Sequence, residues 1–159
     1  MKKIFKEPKG LNCVAQFHDT FDLPVLTNPS IPSKERCQLR VSLLQEELNE
    51  LKEAINQNDM VEIADALSDL QYVLSGAILE FGMGGKFDDL FNEVHRSNMS
   101  KVCKTKEEAV RTQVHYKKNK HTDSFIKKKN DEYLVYRNGD QKVLKSVEYS
   151  PADLKKFLK

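Results

Sequence analysis

The chain has 159 residues, of which 39% are hydrophobic and 31% charged, as expected for one soluble globular domain. The net charge of +2 does not predict nucleic-acid binding, the three cysteines form no CxxC motif, and the longest apolar run is too short to span a bilayer. Residues 1–8 contain no apolar stretch typical of a signal peptide. We therefore expect a cytoplasmic protein with no nucleic-acid partner and no membrane partner.

Helical periodicity dominates the first hundred residues. A short helix is followed by an extended connection rich in proline, then by two long helices and a third that is shorter. Ser33 is suited to cap the first long helix, and the glycines from Gly82 onward end the second. The predicted helices, at about residues 11–21, 34–56, 60–81 and 87–97, form a four-helix-bundle-like, all-α core.

The two long helices are separated only by the turn around Asn56–Asp59, so they must run antiparallel. Asp59 is suited to the N-cap of the second, with Glu62 three residues later. Counting outward from the turn places Glu50 opposite Asp65. Six acids border the apolar stripes in this way and define an acidic seam: Glu46, Glu47, Glu50, Glu62, Asp65 and Asp69.

The acidic seam predicts a cation site. Two unit charges about 4 Å apart repel by roughly 4 kcal/mol at an effective dielectric of about 20. Carboxylate oxygens suit Mg²⁺, or Mn²⁺, whereas the absence of histidine and cysteine from the seam argues against zinc. The alternative is a solvated acidic face, which we prefer for Glu53 alone. A di-iron site is disfavoured because no Glu-x-x-His pair is present.

The C-terminal third has mixed structure. Thr105 begins a capping-box pattern and a polar helix to about Lys118, and the basic stretch 117–130 is expected to be a connector. Asn138-Gly139 predicts the turn of a small β-hairpin between residues 133–136 and 143–144. Ser150-Pro151 predicts a short terminal helix.

Two further groups of residues have two interpretations each. Arg96, Asn98 and Lys101 offer hydrogen-bond donors to a phosphate, or they form an ordinary basic end of a helix. Phe17 can stack on a nucleobase or pack in the core. The residues alone favour the second interpretation in both cases.

The motif Glu46-Glu47-x-x-Glu50 followed by Glu62-x-x-Asp65 resembles the EExxE…ExxD signature of the all-α nucleoside triphosphate pyrophosphohydrolases. This group includes MazG proteins, dimeric dUTPases and phosphoribosyl-ATP pyrophosphohydrolases. Residues 93–101 and 142–154 also resemble segments of the MazG-like and phosphoribosyl-ATP-pyrophosphohydrolase-like proteins. The resemblance runs from about Val14 to the C-terminus and is weakest over residues 104–131, which look like an insertion.

The resemblance implies a MazG-type fold and a role for each matched residue. Glu47, Glu50, Glu62 and Asp65 are expected to bind Mg²⁺, and Glu46 to orient or deprotonate water, unless it is simply a solvent-facing helical residue. Asp69 lies outside the motif and is a further candidate ligand. The resemblance also favours phosphate contact by the residues Arg96, Asn98 and Lys101.

The implied activity is Mg²⁺-dependent hydrolysis of a nucleoside triphosphate to a monophosphate and pyrophosphate, in house-cleaning of the nucleotide pool. The alternatives are a phosphoribosyl-ATP pyrophosphohydrolase and a helical interaction module without turnover. The family also implies a homodimer or homotetramer. We expect one domain, with a core at 1–103 and the insertion, hairpin and terminal helix at 104–159 packed on it.

Overall fold

The structure, a computed structural model, describes residues 5–158. Residues 1–4 and residue 159 lie outside that range. Residues 1–4 belong to the segment 1–8 for which no signal peptide is predicted. The described chain is mostly helical with one small hairpin, which confirms the predicted all-α class. Its elements are α1 (Gly10–Thr20), α2 (Lys34–Gln57), α3 (Met60–Glu80), α4 (Phe87–Met99), α5 (Lys106–Lys120), β1 (Ser124–Lys129) and β2 (Glu132–Arg137), with a 3₁₀ turn at Gly84–Lys86.

The chain forms two compact units, the first ending at Phe87 and the second beginning at Asp88. The expectation of one domain, with a core at 1–103 and residues 104–159 packed on it, stays a prediction. No helix within residues 5–158 is long and apolar enough to cross a membrane.

In the first unit, α2 and α3 form an antiparallel hairpin, and α1 packs on α3. Asn58 ends α2 in the left-handed conformation, with φ 54°, which asparagine tolerates better than most residues. Asp59 then caps α3, because its Oδ1 accepts the backbone N–H groups of Val61 and Glu62 at 2.9 and 3.2 Å. Asn58 therefore ends α2 and Asp59 begins α3, at the predicted turn.

A buried ionic network lies in the first unit. Glu80 is 1% exposed and accepts hydrogen bonds from Arg36 and Arg40. The carbonyl oxygen of Pro24 can only accept a hydrogen bond, so His18 Nδ1 donates to it over 2.9 Å. His18 Nε2 is then the acceptor for Arg40 Nη2 at 3.2 Å. The network joins α1, α2 and α3 at the end opposite the helix turn.

The second unit has its own small core. β1 and β2 pair antiparallel, and α5 contacts both strands. Its cluster of buried apolar side chains consists of Cys103, Ala109, Val135 and Leu144. Thr105 caps α5 through its Oγ1, which accepts the N–H of Glu108 at 3.1 Å, so the predicted polar helix is present.

Two predictions for the second unit are wrong in detail. The supposed basic connector contains β1, which forms the longer ladder with β2. The predicted pairing of 133–136 with 143–144 is present in a shorter form, as an antiparallel bridge between Val143 and Tyr136 and a hydrogen bond of 2.8 Å from Leu144 N to the Val135 carbonyl. The predicted terminal helix is absent from the described residues, where a turn lies at 155–157 instead. The backbone N–H groups of Ser150 and Asp153 instead donate to the side chains of Ser100 and Glu93.

Candidate functional site

The acidic seam flanks a cleft at the turn end of the hairpin. The cleft has a volume of about 530 Å³, and we call it the carboxylate cleft. Its acidic lining comes from both helices and the turn: Glu50, Glu53, Asp59, Glu62 and Asp65. Ala54 and Ala66 are buried beside it, and their small side chains leave room between α2 and α3.

Glu47 is the most perturbed carboxylate of the seam. Its Oε2 is buried and has no hydrogen-bond partner. Burial raises the pKa of Glu47, and the charges of Asp69, Glu50, Glu46 and Asp65 raise this pKa further, in that order. Carboxylates from both helices therefore lie close enough to repel Glu47.

The part of the chain that the structure describes supplies no compensating charge to the acidic seam. Within residues 5–158, no ion pair joins a lysine or arginine to any carboxylate of the acidic seam. A buried carboxylate oxygen without a partner is costly, and the cost falls if a cation binds there.

The carboxylate oxygens of the acidic seam are chemically suited to a hard divalent cation. In this structure, however, their side chains do not point to one common position. Among the described residues, no group of three or more acidic, histidine or cysteine side chains is close enough together to hold a metal ion. Glu50, Glu62 and Asp65 are exposed, so their rotamers are free to change. The oxygen-only donors and the unpartnered Oε2 of Glu47 match Mg²⁺ or Mn²⁺.

Glu46 faces a different surface from the other acids. It lines a groove of about 850 Å³ along α2, together with Gln38, Val41, Ser42 and Gln45. Adjacent helical residues point about 100° apart, so Glu46 and Glu47 cannot share one direction. The predicted role of Glu46 in handling water therefore needs a rotation of its side chain toward the cleft.

The residues predicted to bind phosphate lie at the end of α4, in the second unit. Arg96 donates to Glu93 through Nε at 2.9 Å and through Nη2 at 2.8 Å, and it also contacts Ser150 Oγ and the Pro151 carbonyl. Lys101 Nζ donates to Asn98 Oδ1 over 2.7 Å. Arg96 therefore holds the C-terminal segment, and its charge is already neutralised by Glu93. The charge of Lys101 is not neutralised in this way, because its partner is the neutral amide of Asn98.

Glu93 is a residue whose importance the sequence reasoning missed. It is buried, and the hydrogen bond from Arg96 lowers its pKa to about 2, with help from the backbone N–H of Asp153 and from Lys156. The sequence signal that could have identified Glu93 is its position three residues before Arg96 on a helix, where the two side chains can form an ion pair.

An aromatic pocket of about 260 Å³ lies in the first unit. Phe17 is 40% exposed, and its ring packs edge-on against Tyr72 at 5.7 Å between centroids. The other residues that line the pocket include His18, Arg36, Leu39 and Leu43. Tyr72 was missed, although it lies one helical turn from Asp69 on α3.

Comparison with known proteins defines the class. The model of the phosphoribosyl-ATP pyrophosphohydrolase family matches residues 14–98, more than half of the chain. The chain therefore belongs to this family, within the MazG-like all-α superfamily of nucleotide pyrophosphohydrolases. It is also 25% identical to an uncharacterized protein of Acanthamoeba polyphaga mimivirus, over 84% of this chain and 89% of that protein. Membership supports a function of the nucleotide pyrophosphohydrolase type.

Proposed function

We propose that the protein is a Mg²⁺-dependent nucleoside triphosphate pyrophosphohydrolase. It would cleave the bond between the α and β phosphates and release a nucleoside monophosphate and pyrophosphate. The observation that carries the proposal is the unneutralised acidic seam, in which Glu47 has a buried, unpartnered oxygen and a raised pKa. Family membership supports the same reaction class.

Glu47, Glu50, Glu62 and Asp65 would hold the cation, with Asp69 as a further ligand. Bound Mg²⁺, or Mn²⁺, would supply Lewis acidity that offsets the charge of the polyphosphate and makes an attacking water more acidic. Glu46 would orient this water or accept its proton after turning toward the cleft. Arg96, Asn98 and Lys101 remain the proposed phosphate contacts.

The aromatic pocket is a suitable place for the nucleobase. Leu43 precedes Glu47 by one turn of α2, and Tyr72 follows Asp69 by three residues on α3, so the pocket adjoins the acidic seam. A base beside Phe17 and Tyr72 would place the attached phosphates toward the carboxylates. We propose base recognition here and a house-cleaning role in the cell.

The surface of the hairpin supports assembly of identical subunits. The exposed large apolar side chains of α2 and α3 include four leucine and isoleucine residues that are between 39% and 53% exposed: Leu48, Ile55, Leu67 and Leu74. Such a surface is typical of a protein–protein interface. We propose a homodimer or homotetramer, which a mass measurement in solution would test. The unpaired thiols of Cys13, Cys37 and Cys103 support a reducing, cytoplasmic location.

Two other functions compete with this proposal. The family description favours hydrolysis of phosphoribosyl-ATP, which shares the polyphosphate and differs at the base and sugar. A helical interaction module without turnover would explain the exposed apolar surface but not the acidic seam.

A screen of the purified protein against nucleotides, with phosphoribosyl-ATP included, tests all three functions. Release of pyrophosphate would be followed with Mg²⁺ present and after chelation. Mg²⁺-dependent turnover of a nucleoside triphosphate is expected. Turnover of phosphoribosyl-ATP alone would favour the second function, and no turnover of any nucleotide would favour the third.

A further inference from the structure

The charges of the chain are divided unevenly between its two units. Residues 88–159 contain 17 lysine and arginine residues and 11 acidic residues, whereas residues 1–87 contain 9 and 13. The net charges of the two segments are therefore +6 and −4, which the value of +2 for the whole chain conceals. The expectation of no nucleic-acid partner rested on that overall value, so the charge of the second unit reopens the question.

The β-hairpin of the second unit has a core face and an outer face. Val135 is buried in the apolar cluster of this unit, and Ile126 and Tyr133 pack against the same cluster. Successive side chains on a strand point to opposite faces, so the residues between these lie on the other side of the hairpin. We call this side the outer face, and it consists of three residues of β1 and their register partners on β2: Phe125, Lys127, Lys129, Tyr136, Leu134 and Glu132.

An aromatic pair lies on the outer face at the open end of the hairpin. The rings of Phe125 and Tyr136 are stacked, with 5.4 Å between their centroids and 23° between their planes. Phe125 is nevertheless 40% exposed. The antiparallel bridge between Tyr136 and Val143 extends this apolar surface, because Val143 is also 40% exposed. The open end of the hairpin therefore presents a surface on which a nucleobase can stack.

Two lysines continue the outer face toward the turn of the hairpin. Lys127 and Lys129 follow Phe125 at intervals of two residues, so the three side chains form a row about 14 Å long. Within residues 5–158, neither lysine forms an ion pair, although Glu132 is the register partner of Lys129. The row therefore joins a stacking surface to positive charge that no carboxylate neutralises.

We propose that the outer face binds a single-stranded nucleic acid. A base stacks on Phe125, and Lys127 and Lys129 contact phosphates further along the same strand. A duplex fits this surface less well, because its bases are already stacked on one another and only its phosphates can reach the lysines. An acidic peptide would use the two lysines but not the exposed aromatic ring.

This site is separate from the proposed hydrolysis. The residues of the outer face lie outside the segment 14–98 that the family model matches, so family membership does not assign them a role. Neither Phe125 nor Lys127 belongs to the acidic seam or to the proposed phosphate contacts. Variants at these two positions are therefore expected to keep the nucleotide turnover of the wild type.

The salt dependence of oligonucleotide binding tests the lysine contacts. A fluorescent oligothymidylate of about 12 nucleotides is titrated with the full chain in the presence of a chelator, and anisotropy reports binding. For Lys127→Gln, the slope of log K against log salt concentration should be shallower by about 0.7, as expected for loss of one phosphate contact with a single strand. No binding by the wild type would overturn the proposal.

Lys128→Gln is the matched control for this measurement. It removes the same charge from the adjacent position, but Lys128 lies on the core face, with Nζ 5.8 Å from the centroid of the Tyr133 ring. Its salt slope should equal that of the wild type. An equal change of slope in Lys127→Gln and Lys128→Gln would overturn the outer face as the binding site, because it would show only attraction to the net charge of the unit.

Phe125→Leu tests the stacking contact. Leucine keeps an apolar side chain against Tyr136 but has no aromatic face, so affinity for the single strand should fall about tenfold with an unchanged circular dichroism spectrum. A duplex of the same length should bind more weakly than the single strand and lose nothing in this variant. Unchanged affinity of Phe125→Leu for the single strand would overturn the proposal.

Two further titrations separate the possible ligands. Oligouridylate in place of oligothymidylate distinguishes RNA from DNA as the source, and the tighter of the two identifies it. Polyglutamate is the competitor, and displacement of the oligonucleotide by polyglutamate as readily as by unlabelled oligonucleotide would overturn the proposal in favour of an acidic protein partner. Oligonucleotide binding by a wild type that hydrolyses no nucleotide would refute the proposed function and leave this site standing.

Discussion

Replacing Glu47 by glutamine measures the repulsion within the acidic seam. Glutamine keeps the shape of the side chain but removes a charge that four neighbouring carboxylates oppose. Interactions between largely exposed charges are worth about 0.2–1 kcal/mol each, so the relief of this repulsion is expected to stabilise the folded state by about 1 kcal/mol. Without metal, Glu47→Gln should therefore stabilise the protein and raise its melting temperature by about 2–4 °C.

The sign should reverse when Mg²⁺ is added. A ligand present at about 100 times its dissociation constant stabilises the folded state by about 2.7 kcal/mol. The wild type should gain this stability, and Glu47→Gln should gain much less because it has lost a proposed ligand. Melting curves followed by circular dichroism, with chelator and with excess Mg²⁺, measure both effects.

The pH dependence follows from the same pKa. The folded pKa of Glu47 lies above its unfolded value of 4.5, so protonation favours the folded state. For the metal-free wild type, this contribution is complete below pH 4.5 and is lost as the pH rises through the folded pKa. Glu47→Gln removes that dependence.

Glu53→Gln is the matched control for these experiments. Glu53 lies on the same helix and lines the carboxylate cleft, but it is hydrogen-bonded to Gln57 and is not among the charges that raise the pKa of Glu47. A lower metal-free melting temperature for Glu47→Gln than for the wild type would refute the electrostatic reasoning. If Mg²⁺ stabilised Glu47→Gln as much as it stabilises the wild type, the role of Glu47 as a ligand would be refuted.

Four other predictions follow from the contacts described above. Asp65→Ala should lower pyrophosphate release at least about a hundredfold with an unchanged circular dichroism spectrum, since it removes a proposed ligand; full activity would exclude that role. Glu80→Gln should destabilise the fold by about 3–5 kcal/mol in denaturant titrations, because buried Arg40 and half-buried Arg36 lose their charged partner, and an unchanged midpoint would contradict this. Glu93→Gln should speed amide hydrogen exchange at Asp153, and the wild type should lose the Glu93 contribution to stability as the pH falls from 4.5 toward 2, since the folded pKa is about 2. Phe17→Ala should raise KM for the preferred nucleotide more than it lowers kcat, and an unchanged KM would exclude base contact.

The hairpin and its acids could be predicted because the information is local. Two apolar stripes with helical spacing flank Asn58 and Asp59, and these two residues end one helix and begin the next. The spacing of the acids then fixes which side chains lie near the gap between the helices. The position of Glu47 near the acids of α3 follows from counting residues.

The second unit was harder to predict because its contacts are remote in sequence. Lysines 127–129 obscured β1, in which Phe125 and Ile126 are the only large apolar residues. The predicted terminal helix is absent from the described residues, and the contact made there instead, from the N–H of Asp153 to Glu93 about 60 residues earlier, is not visible in any local pattern. The buried network around Glu80 likewise joins residues up to 44 positions apart, which no local pattern reveals.

Titration of the purified protein with Mn²⁺, followed by the electron paramagnetic resonance signal of the free ion, tests the central claim most directly. The wild type should bind Mn²⁺ and release it when Mg²⁺ is added in excess. A Glu50→Ala, Asp65→Ala double variant should leave the ion free while keeping its helical spectrum. Binding of Mn²⁺ by the double variant as tight as that of the wild type, or no binding by the wild type, would contradict a metal site in the carboxylate cleft.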